Sequence, residues 1–109
     1  LSAGAYQAVF NDNSYKVAHP HLLLLARPNQ RSHPRLGLVV AKKNIRHSVD
    51  RNRVKRVVRN TFRLAQVQLD SLDVVFLARR GMDTLSDGEQ TALLQKSWQR
   101  LSHKVKANQ

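Results

Sequence analysis

Apolar residues recur along this chain in two rhythms. Val54, Val57, Val58, Thr61, Phe62, Ala65 and Leu69 fall in one sector when placed at about 100° per residue, which predicts a long helix with a single buried face. "HLLLLAR" (21–27) and "LGLVVAKK" (36–43) are unbroken apolar runs, and these predict strands buried on both faces. "DVVFLARR" (73–80), bounded by Gly81, reads as a further strand, and "YKVA" (15–18) as an extended segment set off by Pro20.

Polar residues punctuate these runs. Ser2 is placed to cap a short helix through "AGAYQAVF", where Tyr6, Val9 and Phe10 recur at helical spacing. "NDNS" (11–14) reads as a turn and "PNQRSHPR" (28–35) as a polar loop. Ser48 is a candidate cap for the central helix, with Asp50 favouring its positive end. "SDGE" (86–89) matches a capping box and opens a helix to about Lys106, with Leu94, Trp98, Leu101 and Val105 on one face. The predicted order is α-β-β-β-α-β-α, an α+β fold with a four-stranded sheet packed by helices. No repeat, low-complexity tract or linker divides the chain, so residues 1–109 are expected to form one domain.

Composition narrows the class. With 109 residues and 41% apolar content the chain has enough for a modest core, and most of its apolar segments are needed to build it. No apolar run approaches the roughly 20 residues of a membrane span, and no signal peptide is visible. The chain begins at Leu1 rather than Met, so residues removed ahead of it are expected. The absence of cysteine excludes disulfides and thiolate zinc sites and fits a cytoplasmic protein.

Charge changes the picture most. The net charge is +12, and from Lys42 to Arg63 nine basic residues face one acid, Asp50. On the predicted central helix Asn52, Arg56, Arg59 and Arg63 align in a narrow stripe opposite the apolar sector, flanked by Arg53 and Lys55. A helix that is merely solvated interleaves acids at i±4 with its bases, gaining about 0.2–0.5 kcal/mol per pair. Stacked like charges cost stability in the free protein and make sense when phosphates neutralise them. Arginine's planar fork suits phosphate oxygens and also stacks on bases. Lys42, Lys43 and Arg46 extend the patch ahead of the helix, and His47 adjoins it. Such a patch positions a protein on nucleic acid without reading sequence.

"AKKNIRHSVDRNRVKRVVRNTFR" (41–63) resembles the signature of the bacterial ribonuclease P protein component, in which a strand ends in paired lysines and a loop leads to an Arg-Asn-Arg helix start. Arg51-Asn52-Arg53, Lys55-Arg56 and Arg59 match that motif in residue and spacing. "YQAVF", "HPRLGLVVAKK" and "DVVFLARRG" resemble the family's first helix, central strand and last strand, so the likeness covers nearly the whole chain. It implies the protein subunit of a ribonucleoprotein endoribonuclease that removes the 5′ leader of precursor tRNA. By the same resemblance the chemistry belongs to the RNA subunit, magnesium is held mainly by that RNA and the substrate, and the protein alone is inactive. The implied RNA-subunit contacts are Lys42, Lys43, Arg46, Arg51, Asn52, Arg53, Lys55, Arg56, Arg59 and Arg63. The leader is implied to lie between the first helix and the sheet, near Tyr6, Phe10 and Lys16; core packing is the default for the two aromatics, and a stacking platform for single-stranded RNA is the alternative that the resemblance raises. The resemblance further implies a left-handed crossover between the "LGLVVA" and "DVVFLA" strands, where the general rule gives a right-handed one. The implied partners are the RNA subunit and precursor tRNA, with no membrane and a monomeric protein in the absence of RNA. Relatives often carry a basic stretch ahead of the first helix, and some place an aromatic near Leu25, where this chain is aliphatic.

Other residues support competing functions less well. His19, His21, His33, His47 and His103 include no HxxxH pair for zinc, and no carboxylate cluster suggests a protein-only nuclease holding magnesium. A ribosomal-type RNA-binding protein would share the charge without the long motif. A DNA-binding helix-turn-helix fits poorly with strands on both sides of the basic helix. Trp98 is expected to anchor the last helix in the core, while Lys96, Arg100, Lys104 and Lys106 are expected on its solvated side, with peripheral RNA contact as the alternative.

Overall fold

The computed structural model describes residues 1–108. Its elements are α1 (Ala3–Asn11), β1 (Tyr15–His19), β2 (Leu22–Pro28), β3 (Arg35–Val39), α2 (Ser48–Ala65), β4 (Leu72–Ala78) and α3 (Asp87–Ala107), with single 3-10 turns at Gln66–Gln68 and Met82–Thr84. The order is the one predicted. The strands form a single sheet in the order β1-β2-β4-β3, antiparallel except for the parallel pair β3 and β4 that α2 connects.

Alternation along the strands sends side chains to two different layers. Leu22, Leu24 and Ala26 of β2 and Leu72, Val74, Phe76 and Ala78 of β4 join Val54, Val58, Phe62, Leu94, Trp98 and Leu101 in the main core, so α2 and α3 cover this face. Leu25 and Val75 point the other way and meet Val9 of α1. β2 and β4 are therefore sandwiched between helices, which is why their sequences lack alternation. Thr61 fills a polar position in the main core: its hydroxyl accepts the Trp98 indole N–H at 3.0 Å and reaches the carbonyls of Val57 and Val58.

Ser2 caps α1 by accepting from the Ala5 N–H, and Ser86 and Glu89 form the complete capping box of α3. Three expectations are corrected. "LGLVVAKK" is not a strand buried on both faces: β3 stops at Val39 and lies at the sheet edge, with only Gly37 buried. There the chain turns away, as the amides of Asn44 and Ile45 both donate to the Ala41 carbonyl. Ser48 is not the cap of α2, because the cap position is His47 and its side chain makes no capping bond. The Arg51 guanidinium braces this end instead, donating to the carbonyls of Ile45 and Arg46. Finally, α2 ends at Ala65, and Leu69 reaches the core through the 3-10 turn that follows.

Candidate nucleic-acid interface

Burial along α2 divides the helix as its periodicity requires. Val54, Val57, Val58, Thr61, Phe62 and Ala65 are buried, while Asn52, Arg56, Arg59 and Arg63 are all exposed on the other side. Lys42, Lys43 and Arg46 are likewise exposed in the segment between β3 and α2. Eight side chains capable of binding phosphate, counting Lys55 at the flank, thus occupy α2 and its approach.

Arg51 and Arg53 are partly committed elsewhere. Besides the carbonyl bonds of Arg51, the Arg53 guanidinium donates to the Asp83 carbonyl at 2.9 Å and lies 3.9 Å from Asp50 and 3.5 Å from Asp87. It ties the start of α2 to the Met82–Thr84 turn and the start of α3. This role was invisible in the motif, since it depends on the Asp83 carbonyl and the Asp87 carboxylate, both far along the chain. Arg53 therefore braces the fold from within the motif.

A second surface forms where α1 crosses the opposite face of the sheet. Ala18, Leu23, Leu77 and Val39 are register neighbours across all four strands, and the last three are only half-buried beside the cluster under α1. They make an apolar strip that α1 leaves partly uncovered. Lys16, paired with Leu25, projects to this same face from β1. Tyr6 and Phe10 lie one turn apart on α1 but do different things. The Tyr6 ring packs over Gly37, where a Cβ would sit 2.6 Å from it, and its hydroxyl accepts from the Leu38 N–H at 2.9 Å. Phe10 remains 41% exposed. Leu25 is buried beneath α1 beside Val9.

The two surfaces meet at the β3 edge. A groove of about 510 Å³ runs there, lined on one side by Tyr6 and on the other by Lys55, Arg59 and Arg63, with Leu36, Leu38 and Phe62 among its apolar residues. Tyr6 and Lys55 were assigned to different RNAs from the sequence, and folding brings them to one groove. No group of three or more His, Asp or Glu side chains suited to a metal occurs among the described residues. No described helix is long and apolar enough to cross a membrane.

A family model described as Ribonuclease P matches residues 1–102. The chain belongs to the ribonuclease P protein family. It is 48% identical over 106 residues to the ribonuclease P protein component of Chromohalobacter salexigens, covering 97% of this chain and 83% of that protein. It is 41% identical to that of Acinetobacter baylyi, covering 98% and 82%. The fold is similar to that of the RNase P protein of Staphylococcus aureus, with a TM-score of 0.78 over 97% of this chain and 93% of that one at 23% identity. The RNase P protein of Thermotoga maritima superposes with a TM-score of 0.68 over 84% and 89%, also at 23% identity. Family members are protein components of a ribonucleoprotein endoribonuclease of tRNA processing, and an RNase P RNA is the partner that membership implies.

Proposed function

We propose that this ribonuclease P protein binds its RNA subunit through the exposed cations of α2 and its approach, and guides the 5′ leader of precursor tRNA along the strip beside α1. The observation that carries the reading is the groove at the β3 edge, which joins an aromatic wall to a cationic one. Single-stranded RNA favours such a pairing, because its bases stack on aromatic and apolar surface while its phosphates seek arginine and lysine. Lys42, Lys43, Arg46, Asn52, Arg56 and Arg63 serve the RNA subunit, with Arg51 and Arg53 contributing as they brace the helix. Phe10, Lys16 and the Tyr6 ring serve the leader, and Lys55 and Arg59 stand between the two. Cleavage is then the work of the RNA subunit and magnesium ions held by RNA, in the cytoplasm, with a protein that is monomeric before assembly.

The test is the ratio of precursor to mature tRNA affinity in the reconstituted holoenzyme. Phe10→Ala should lower it about tenfold, the worth of one lost stacking contact, without changing affinity for the RNA subunit. Phe10 is exposed, so its fold should persist. An unchanged ratio in folded variants at both Phe10 and Lys16 would place the leader elsewhere. Cleavage of precursor tRNA by the purified protein alone would refute the assignment of chemistry to RNA.

A further inference from the structure

A separate group of cations lies at the sheet edge away from β3. The end of β1 brings His19, the start of β2 His21, and the end of β4 Arg79 and Arg80, while α3 packs over β1 and carries Lys96 and Arg100. β1 and β3 are the two edge strands, three spacings of about 4.8 Å apart, so the β1 side of this cluster lies roughly 14 Å or more from the groove, while Arg79 and Arg80 follow β4 between them.

The cluster is an ordered arrangement. The two imidazole centroids are 5.5 Å apart, and the His21 N–H donates to His19 Nδ1 at 3.0 Å, which leaves the proton of neutral His19 on Nε2. His21 Nδ1 lies 3.0 Å from the Arg80 carbonyl, which fixes Nδ1 as a donor and leaves Nε2 as the ring's remaining polar atom. Gly81 permits this placement: it has φ +89°, and a Cβ there would lie 2.6 Å from the His21 ring. The Arg79 guanidinium donates to the His19 carbonyl at 3.2 Å. None of the ion pairs described involves Arg79, Arg80, Lys96 or Arg100. Burial first, and then the neighbouring His21, Arg100 and Lys96, hold the His19 imidazole below its ordinary pKa.

We infer that His19, His21, Arg79, Arg80, Lys96 and Arg100 form a second RNA-backbone site, which grips phosphates of a segment other than the one lying on α2. Its breadth favours a chain of phosphates over a single small anion. Lys96 and Arg100 are one helical turn apart, and the Arg79 guanidinium reaches the His19 carbonyl from a different layer of the fold. The inference requires an RNA ligand but does not depend on the path of the leader.

Lys96→Gln/Arg100→Gln tests it in the full-length protein, because both side chains are exposed and the fold should be kept. Affinity for the RNA subunit, and affinity of the holoenzyme for precursor tRNA, are each measured against salt. One of the two slopes of log K on log salt should fall by about 1.5–2 units. A change in the first assigns the segment to the RNA subunit, and a change in the second to precursor tRNA. Arg31→Gln/Lys106→Gln removes the same charge from exposed positions outside the cluster and should leave both slopes within about half a unit. The inference is overturned if neither slope moves in the folded cluster variant, or if the control lowers a slope as much. A failure of the Phe10 experiment would leave this result standing.

Discussion

The Tyr6 hydroxyl accepts a 2.9 Å hydrogen bond from the Leu38 N–H, so a side chain of α1 completes the outer edge of β3. An edge strand otherwise presents unpaired backbone donors to water or to another chain. The same contact stands the Tyr6 ring at the mouth of the groove. Tyr6→Phe should therefore cost about 0.5–1.5 kcal/mol in urea unfolding while keeping the precursor-to-mature affinity ratio. Tyr6→Ala should lose stability and lower the ratio as well. If Tyr6→Phe lowers the ratio as far as Tyr6→Ala, the hydroxyl rather than the ring meets the leader.

Gly37→Ala should displace Tyr6. The added methyl would meet two ring carbons at 2.6 and 2.8 Å and a Leu1 methyl at 2.9 Å. Either the ring swings off β3 or the end of α1 lifts, and both disturb the groove. Thermal unfolding should show a loss of about 1–3 kcal/mol, the usual cost of overpacking. Unchanged stability, with Tyr6 protected as before, would show that α1 adjusts freely.

The arginines of α2 should separate by role. Arg56→Ala should leave stability unchanged and reduce the salt slope for RNA-subunit binding by about one unit. Arg53→Ala should also destabilise the free protein, by on the order of 1 kcal/mol, through loss of its bond to the Asp83 carbonyl. Equal unfolding midpoints for the two variants would deny Arg53 its bracing role.

Acid should loosen the far end of the sheet. The Asp73 carboxylate accepts from Arg35 at 2.8 and 2.7 Å and from Asn29 at 3.0 Å. The Arg35 bonds lead in holding its pKa below the ordinary range, against an opposing effect of burial, with Asn29 assisting. A depressed folded pKa means the stabilisation is full above the unfolded value of about 3.9 and is lost as pH falls through the lower folded value. Urea midpoints from about pH 6 down to about pH 2 should decline less steeply in Asp73→Asn than in the parent protein. Parallel declines would remove Asp73 as a source of the acid limb.

The elements, their order and the exposed stripe of α2 were legible in the sequence because each rests on local repetition. Val54 to Ala65 state the helical period directly, and Ser86 with Glu89 form a cap from residues three apart. β3 was misread because an apolar run does not say whether a strand has a neighbour on both sides. Ser48 was misread as a cap because the turn that decides the helix start is set by Arg51 and the carbonyls ahead of it.

What the sequence by itself determined is therefore the periodic and the cumulative: strand and helix identity, a buried stripe opposite a cationic one, and a charge that calls for a polyanion. The tertiary structure decided which distant residues share a surface. Tyr6 reaches the groove of Lys55 and Arg59, Arg53 turns to Asp83, and His19 and His21 gather Arg79, Lys96 and Arg100. Those meetings depend on sheet order and on how helices cross it. Strand pairing is settled by the sum of many contacts throughout the core, and no single stretch of the chain encodes that sum.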